Sequence, residues 1–102
     1  MAYQVEKYDV LIYGGPTGYQ TNRAQIQLSD PAGQVRAWVR FNDPGMSFET
    51  DYEEGGIIRM HLPSHMFGPV IDLLRNESGV SIYMAAGRAS LGSATEPVGE
   101  GE

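Results

Sequence analysis

Cysteine is absent from the 102 residues. That removes disulfides, thiol nucleophiles and thiolate metal sites together. Bases are scarce: seven, of which only Lys7 is a lysine, against thirteen acids, for a net charge of −6. That sign opposes nonspecific binding to phosphate backbones, which depends on Lys and Arg displacing counterions. Long apolar runs are missing too, and nothing approaches the roughly 18 residues a membrane-spanning helix needs. Residues 1–8 are polar and charged and lack the basic-then-apolar order of a secretory signal. These absences lead to the expectation of a cytoplasmic protein without a membrane partner.

What is present suits one domain. The length matches a single unit, and 41% apolar residues suffice for one modest core. The domain is expected over residues 1–92, followed by a small, acidic and disordered tail over 93–102. The acids concentrate in that tail and in Glu49-Thr-Asp-Tyr-Glu-Glu54.

Period-two alternation predicts strands over 5–13, 23–29, 34–42, 57–62 and 80–85. The first is apolar on both faces in its second half, which predicts cover on two sides there. Gly14-Gly-Pro-Thr-Gly18 breaks it. Ala24, Ile26 and Leu28 then share one face, as do Val35, Ala37, Val39 and Phe41 after the turn Asp30-Pro-Ala-Gly33. An even-length loop pairs Leu28 with Val35 and Ile26 with Ala37, keeping apolar residues on one side. Residues 43–56 read equally as a short edge strand or an ordered acidic loop.

Ser64 is placed to cap a helix on which Met66, Phe67, Val70, Ile71, Leu73 and Leu74 recur at three- and four-residue spacing. Gly68-Pro69 makes its first turn irregular. Ala86-Gly87 can turn the last strand back through Arg88–Leu91. The expected fold is α+β: a mostly antiparallel meander, one amphipathic helix packed on one sheet face, and a C-terminal strand or hairpin.

A helix covers only one side of such a sheet. The other carries Arg23, Gln25, Gln27, Arg36, Trp38 and Arg40, joined by Arg59 and His61 if the fourth strand lies alongside. Arginine forks and a tryptophan face are the groups that binding surfaces favour. Arg23, Arg36, Trp38, Arg40, Arg59 and His61 are therefore the candidate binding residues. The competing reading is a solvated face with Trp38 resting on arginine stems.

Other constellations lead away from chemistry. His61 and His65 have helical zinc spacing, but Pro63 intervenes and His61 falls on a strand. Glu49, Asp51, Glu53 and Glu54 offer oxygen ligands without the spacing of a calcium loop; an acidic edge that resists aggregation explains them as well. Gly14–Gly18 lacks the Lys-Ser/Thr of a phosphate loop and precedes a strand. Ser64 beside His65 has no acid placed to orient the pair. No catalytic residue, metal or cofactor is assigned.

Leu73-Leu-Arg-Asn-Glu77, the strand after it and the ending Glu96-Pro-Val-Gly-Glu-Gly-Glu102 resemble a family of short bacterial proteins of unknown function. The resemblance covers about the last third of the chain. It implies a bacterial source and transfers no functional residue. The expected function is a non-catalytic interaction module that self-associates or binds a protein. Two alternatives stand beside it: a single-stranded nucleic-acid binder using Arg36, Trp38 and Arg40, and a metal-dependent enzyme using the acidic segment.

Overall fold

The computed structural model describes residues 1–94. The expectation of disorder for the tail falls, from residue 95 onward, outside them. Two sheets enclose the core. The larger has five strands in the spatial order β2 (Lys7–Ile12), β3 (Ala24–Ser29), β4 (Val35–Asn42), β6 (Ile57–Pro63), β5 (Tyr52–Glu54). The smaller is antiparallel, with β1 (Ala2–Gln4), β7 (Ser81–Ala85) and β8 (Arg88–Gly92) side by side. Between β6 and β7 a 3₁₀ turn (Ser64–Met66) runs into helix α1 (Phe67–Asn76). The chain is α+β and mostly antiparallel, as its pattern predicts.

The expected inner rows are where the core lies. Ala24, Ile26, Leu28, Ala37, Val39, Phe41 and Ile58 are buried. Helix α1 adds Val70, and Phe67 meets Phe41 edge-on at 5.2 Å between ring centroids. The helix does not cover this face alone. Ile82 and Ala89 of the smaller sheet complete the buried cluster, with Tyr3, Met84 and Leu91 partly buried against it.

Three details depart from the simple meander. First, β4 and β6 are parallel, with Trp38 opposite Arg59 and Arg40 opposite His61. After β4 the chain runs through residues 43–51 before forming β5, then turns at Gly55-Gly56 and inserts β6 between them. Both glycines have positive φ, 63° and 79°, the geometry of a tight hairpin turn whose twist matches its strands. Residues 43–56 thus contain both a loop and a short edge strand.

Second, the β3–β4 register lies two residues from the expected one. Leu28 faces Ala37 and Ile26 faces Val39, with a bulge where Ser29 meets Val35. The cause is Asp30. Its carboxylate accepts the amides of Ala32 (3.0 Å) and Gln34 (2.9 Å) and the Arg36 Nε–H (2.9 Å). That closes a wider loop and leaves Arg36 as the extra residue. Inside and outside survive because the bulge restores the alternation at Ala37.

Third, Ser64 is not a side-chain cap; it opens the 3₁₀ turn. Gly68 and Pro69 are accommodated because Phe67–Pro69 form the first helical turn, where amides lack intrahelical acceptors in any case.

The two aspartates that organise these loops have lowered pKa values. Asp30 is held below 3.8 first by the Gln34 amide and then by Arg36; Asp43 is held below it first by Arg23 and then by Ser64. Carboxyl groups depressed in the folded state stabilise fully above their ordinary value and lose that contribution as pH falls through the folded one. Asp30→Asn and Asp43→Asn are therefore expected to lose less stability than the parent on acidification from neutral pH to about pH 2. Denaturant unfolding across that range checks this, and parallel curves for parent and variants would contradict it.

Candidate interaction surface

Register places the outer-face residues in rows that cross the larger sheet. Asp9, Gln27, Trp38, Arg59 and Tyr52 form one; Leu11, Gln25, Arg40 and His61 form the next. Four of the six candidate binding residues, Trp38, Arg40, Arg59 and His61, are thus brought together. Their groups engage one another. Trp38 Nε1–H donates to Gln27 Oε1 (3.1 Å), and Arg40 Nε–H donates to Gln25 Oε1 (3.2 Å). The Arg59 guanidinium lies 4.7 Å from the Trp38 ring centroid and 5.3 Å from that of Tyr52; Arg40 lies 5.2 Å from Trp38. Arg59 also donates to the Glu54 carbonyl (2.8 Å) and keeps only 12% side-chain exposure.

Arg23 and Arg36 are elsewhere. Arg23 precedes β3 and clamps loops: Nε–H donates to Asp43 (2.7 Å) and an Nη–H to the Tyr13 carbonyl (2.7 Å). Arg36, taken out of the row by the bulge, binds Asp30 and Gln34 and lies 4.4 Å from the Tyr3 ring centroid on the smaller sheet. Side-chain length let both leave the face that alternation assigns them.

The acidic segment is also engaged. Asp51 accepts the His61 amide (2.8 Å) and the Ala89 amide (3.0 Å), linking β6 to β8 across the two sheets. Glu53 accepts the Gly56 amide at 2.7 Å. The His61 ring is buried against Tyr52, with centroids 6.1 Å apart, and has Asp51 at 3.5 Å from Nδ1 and Glu49 at 3.8 Å from Nε2. His65 sits on the 3₁₀ turn, so the two histidines share no helix. In the Gly14–Gly18 segment, Gly18 has φ +64°, and a Cβ there would collide with the Asn22 carbonyl. The segment is a tight loop, closed by the Tyr19–Asn22 bridge.

Among the described residues, the run of exposed large apolar side chains consecutive in one strand is on β2, while Met1, Tyr19, Phe48 and Tyr83 are exposed singly. Val10, Leu11 and Ile12 are 36%, 55% and 68% exposed. This corrects the expectation of cover on both sides, because β2 is a terminal strand of its sheet. Val10 and Ile12 pair with Ile26 and Ala24 and so point to the core side. There an apolar groove of about 220 Å³ opens between Ile12, Ala24, Phe41 and Phe67. The sequence signal for this surface is the two-faced apolar run Val10-Leu-Ile12, which suits a strand covered on both faces.

Comparison with protein-family models, with curated proteins and with solved structures gives no match. Among the described residues no helix is long and apolar enough to cross a membrane.

Proposed function

We propose that this domain is a non-catalytic interaction module whose docking element is the open edge of β2. The observation that carries the reading is the exposure of Leu11 and Ile12, 55% and 68%, on a terminal strand. Proteins usually protect such edges with charge, proline, a bulge or a covering segment. The opposite terminal strand follows that rule, since β5 is Tyr-Glu-Glu. The outer half of β2 does not. An added strand would satisfy its open backbone groups and cover its side chains, the mode known as strand augmentation. Full burial of Leu11 and Ile12 is worth about 1.5–3 kcal/mol each before the cost of association. The engaged state of Trp38 and Asp51 supports the same reading, because the indole N–H is bound to Gln27 and both Asp51 oxygens hold backbone amides.

Selection from a displayed library of random peptides against the immobilised domain tests this. The expected binders are extended, with apolar residues at alternate positions, and Ile12→Lys weakens them by about tenfold or more. Failure to enrich any peptide over the Ile12→Lys domain would contradict it.

A further inference from the structure

The edge of β2 has a definite hydrogen-bonding phase. The Tyr13 amide donates to the Arg23 carbonyl at 2.8 Å. With Leu11 opposite Gln25 and Asp9 opposite Gln27, the odd-numbered residues bond to β3. The amides and carbonyls of Tyr8, Val10 and Ile12 therefore point away from the sheet.

We propose that a second copy of this chain occupies that edge, its β2 antiparallel to the first about a two-fold axis at Leu11. The inference rests on the reading of β2 as the docking edge and names its partner and register. Outward-facing residues must oppose outward-facing residues, so Asp9, Val10 or Leu11 is the residue that can sit opposite itself within the strand. A centre at Asp9 sets two carboxylates face to face, which is unfavourable. A centre at Val10 sets each Asp9 against Leu11. A centre at Leu11 opposes Val10 to Ile12 and Leu11 to itself, and gives Asp9 the Tyr13 hydroxyl as a donor. Every apolar side chain exposed on the outer half of β2 then meets another.

Charge favours the same arrangement. Each copy carries −6, yet the acidic segment lies at the β5 edge, across the whole sheet from β2. Joining the β2 edges keeps the two acidic segments apart and makes one continuous sheet. The isologous contact also closes on itself rather than propagating. Residual repulsion between the copies is long-range and screened by salt, so association strengthens as salt is added.

The absence of cysteine makes a direct test available. Asp9→Cys, Val10→Cys, Leu11→Cys and, at the opposite edge, Thr50→Cys are oxidised under mild conditions. Opposed residues of a non-hydrogen-bonded pair lie about 4.5 Å apart at Cα, within disulfide range. Leu11→Cys is expected to give covalent dimer at least about tenfold faster than the other three, through effective concentration. Sedimentation equilibrium of the parent should show a reversible dimer that Ile12→Lys weakens by about tenfold or more. Faster linkage at residue 9 or 10 overturns the register. A strictly monomeric parent that still binds selected peptides overturns the second copy and leaves the docking edge standing; a monomer that binds none overturns both.

Discussion

Asp51→Ala is expected to lower the unfolding free energy by about 2–6 kcal/mol, because it orphans two buried amides at about 1–3 kcal/mol each. The need for this carboxylate follows from topology. Strand β5 pairs with β6 only from Tyr52 to Glu54, opposite Arg59 to Ile57. Past Arg59 the β6 edge has lost that neighbour, and the His61 amide lies in the gap. Asp51, one residue before β5, fills it at 2.8 Å and with its other oxygen holds the Ala89 amide of the second sheet at 3.0 Å. One side chain thus replaces a missing strand and joins two sheets. Asp51→Asn keeps a single acceptor oxygen and should cost about half as much. Glu49→Ala, at a side chain 64% exposed, should stay within about 0.5 kcal/mol of the parent. Denaturant unfolding followed by Trp38 fluorescence measures all three. A loss below about 1 kcal/mol for Asp51→Ala would remove this carboxylate from the link between the sheets.

Asn42→Asp is expected to cost a similar amount at neutral pH, about 3–5 kcal/mol. Asn42 ends β4, is 2% exposed, and donates through Nδ2 to the carbonyls of Thr21 (2.6 Å) and Ser47 (3.0 Å). It ties the Tyr19–Asn22 turn to the loop that follows β4. An aspartate there directs a carboxylate oxygen at two carbonyl oxygens in a buried site. Burial without donors raises the folded-state pKa of that carboxyl group. The penalty is therefore absent below its ordinary value, about 3.9, and grows with pH until the raised folded value is passed. Asn42→Ala, which loses both bonds without adding charge, should cost a smaller amount independent of pH. Melting curves of the three proteins between acid and neutral pH check this. A difference between Asn42→Asp and the parent that does not change with pH would contradict the assignment of the Nδ2 contacts.

Much of the fold was legible in the sequence, and the reasons differ by element. Ala24-x-Ile-x-Leu28 and Ala37-x-Val-x-Phe41 marked the inner face because burial imposes a strict period of two. The helix was visible through Met66 to Leu74, and Ala86-Gly87 does turn β7 into β8, with Ala85 opposite Arg88. The register differs because of Asp30: its bond to the Ala32 amide is the ordinary Asx turn, but those to Gln34 and Arg36 extend the loop beyond what turn propensity encodes. The parallel β4–β6 pair was hidden because alternation reads the same in either direction. The division into two sheets is not visible in the pattern because it falls within the N-terminal run: the Val5 amide bonds to the Val80 carbonyl of the smaller-sheet region, and the Glu6 amide already bonds to Ser29.

The candidate site was legible only in part. Trp38, Arg40, Arg59 and His61 share a face because alternation and strand adjacency decide it. Arg23 and Arg36 left that face because long side chains follow the nearest carboxylate, Asp43 or Asp30, rather than the pleat. Asp51 gave no spacing signal, since its partners are backbone amides of residues far along the chain. The open edge of β2 has no local signature. A two-faced apolar strand looks covered, and nothing local says whether the cover comes from the same molecule.

Amide hydrogen exchange along β2 tests the docking edge most directly. In dilute solution the Asp9 and Leu11 amides, bonded to β3, should exchange slowly, while the Val10 and Ile12 amides exchange fast. Raising the protein concentration, or adding a selected peptide, should slow Val10 and Ile12 and leave Asp9 and Leu11 unchanged. Val10 and Ile12 amides that stay equally fast at every protein concentration and with peptide in excess would contradict the assignment of β2 as the docking element.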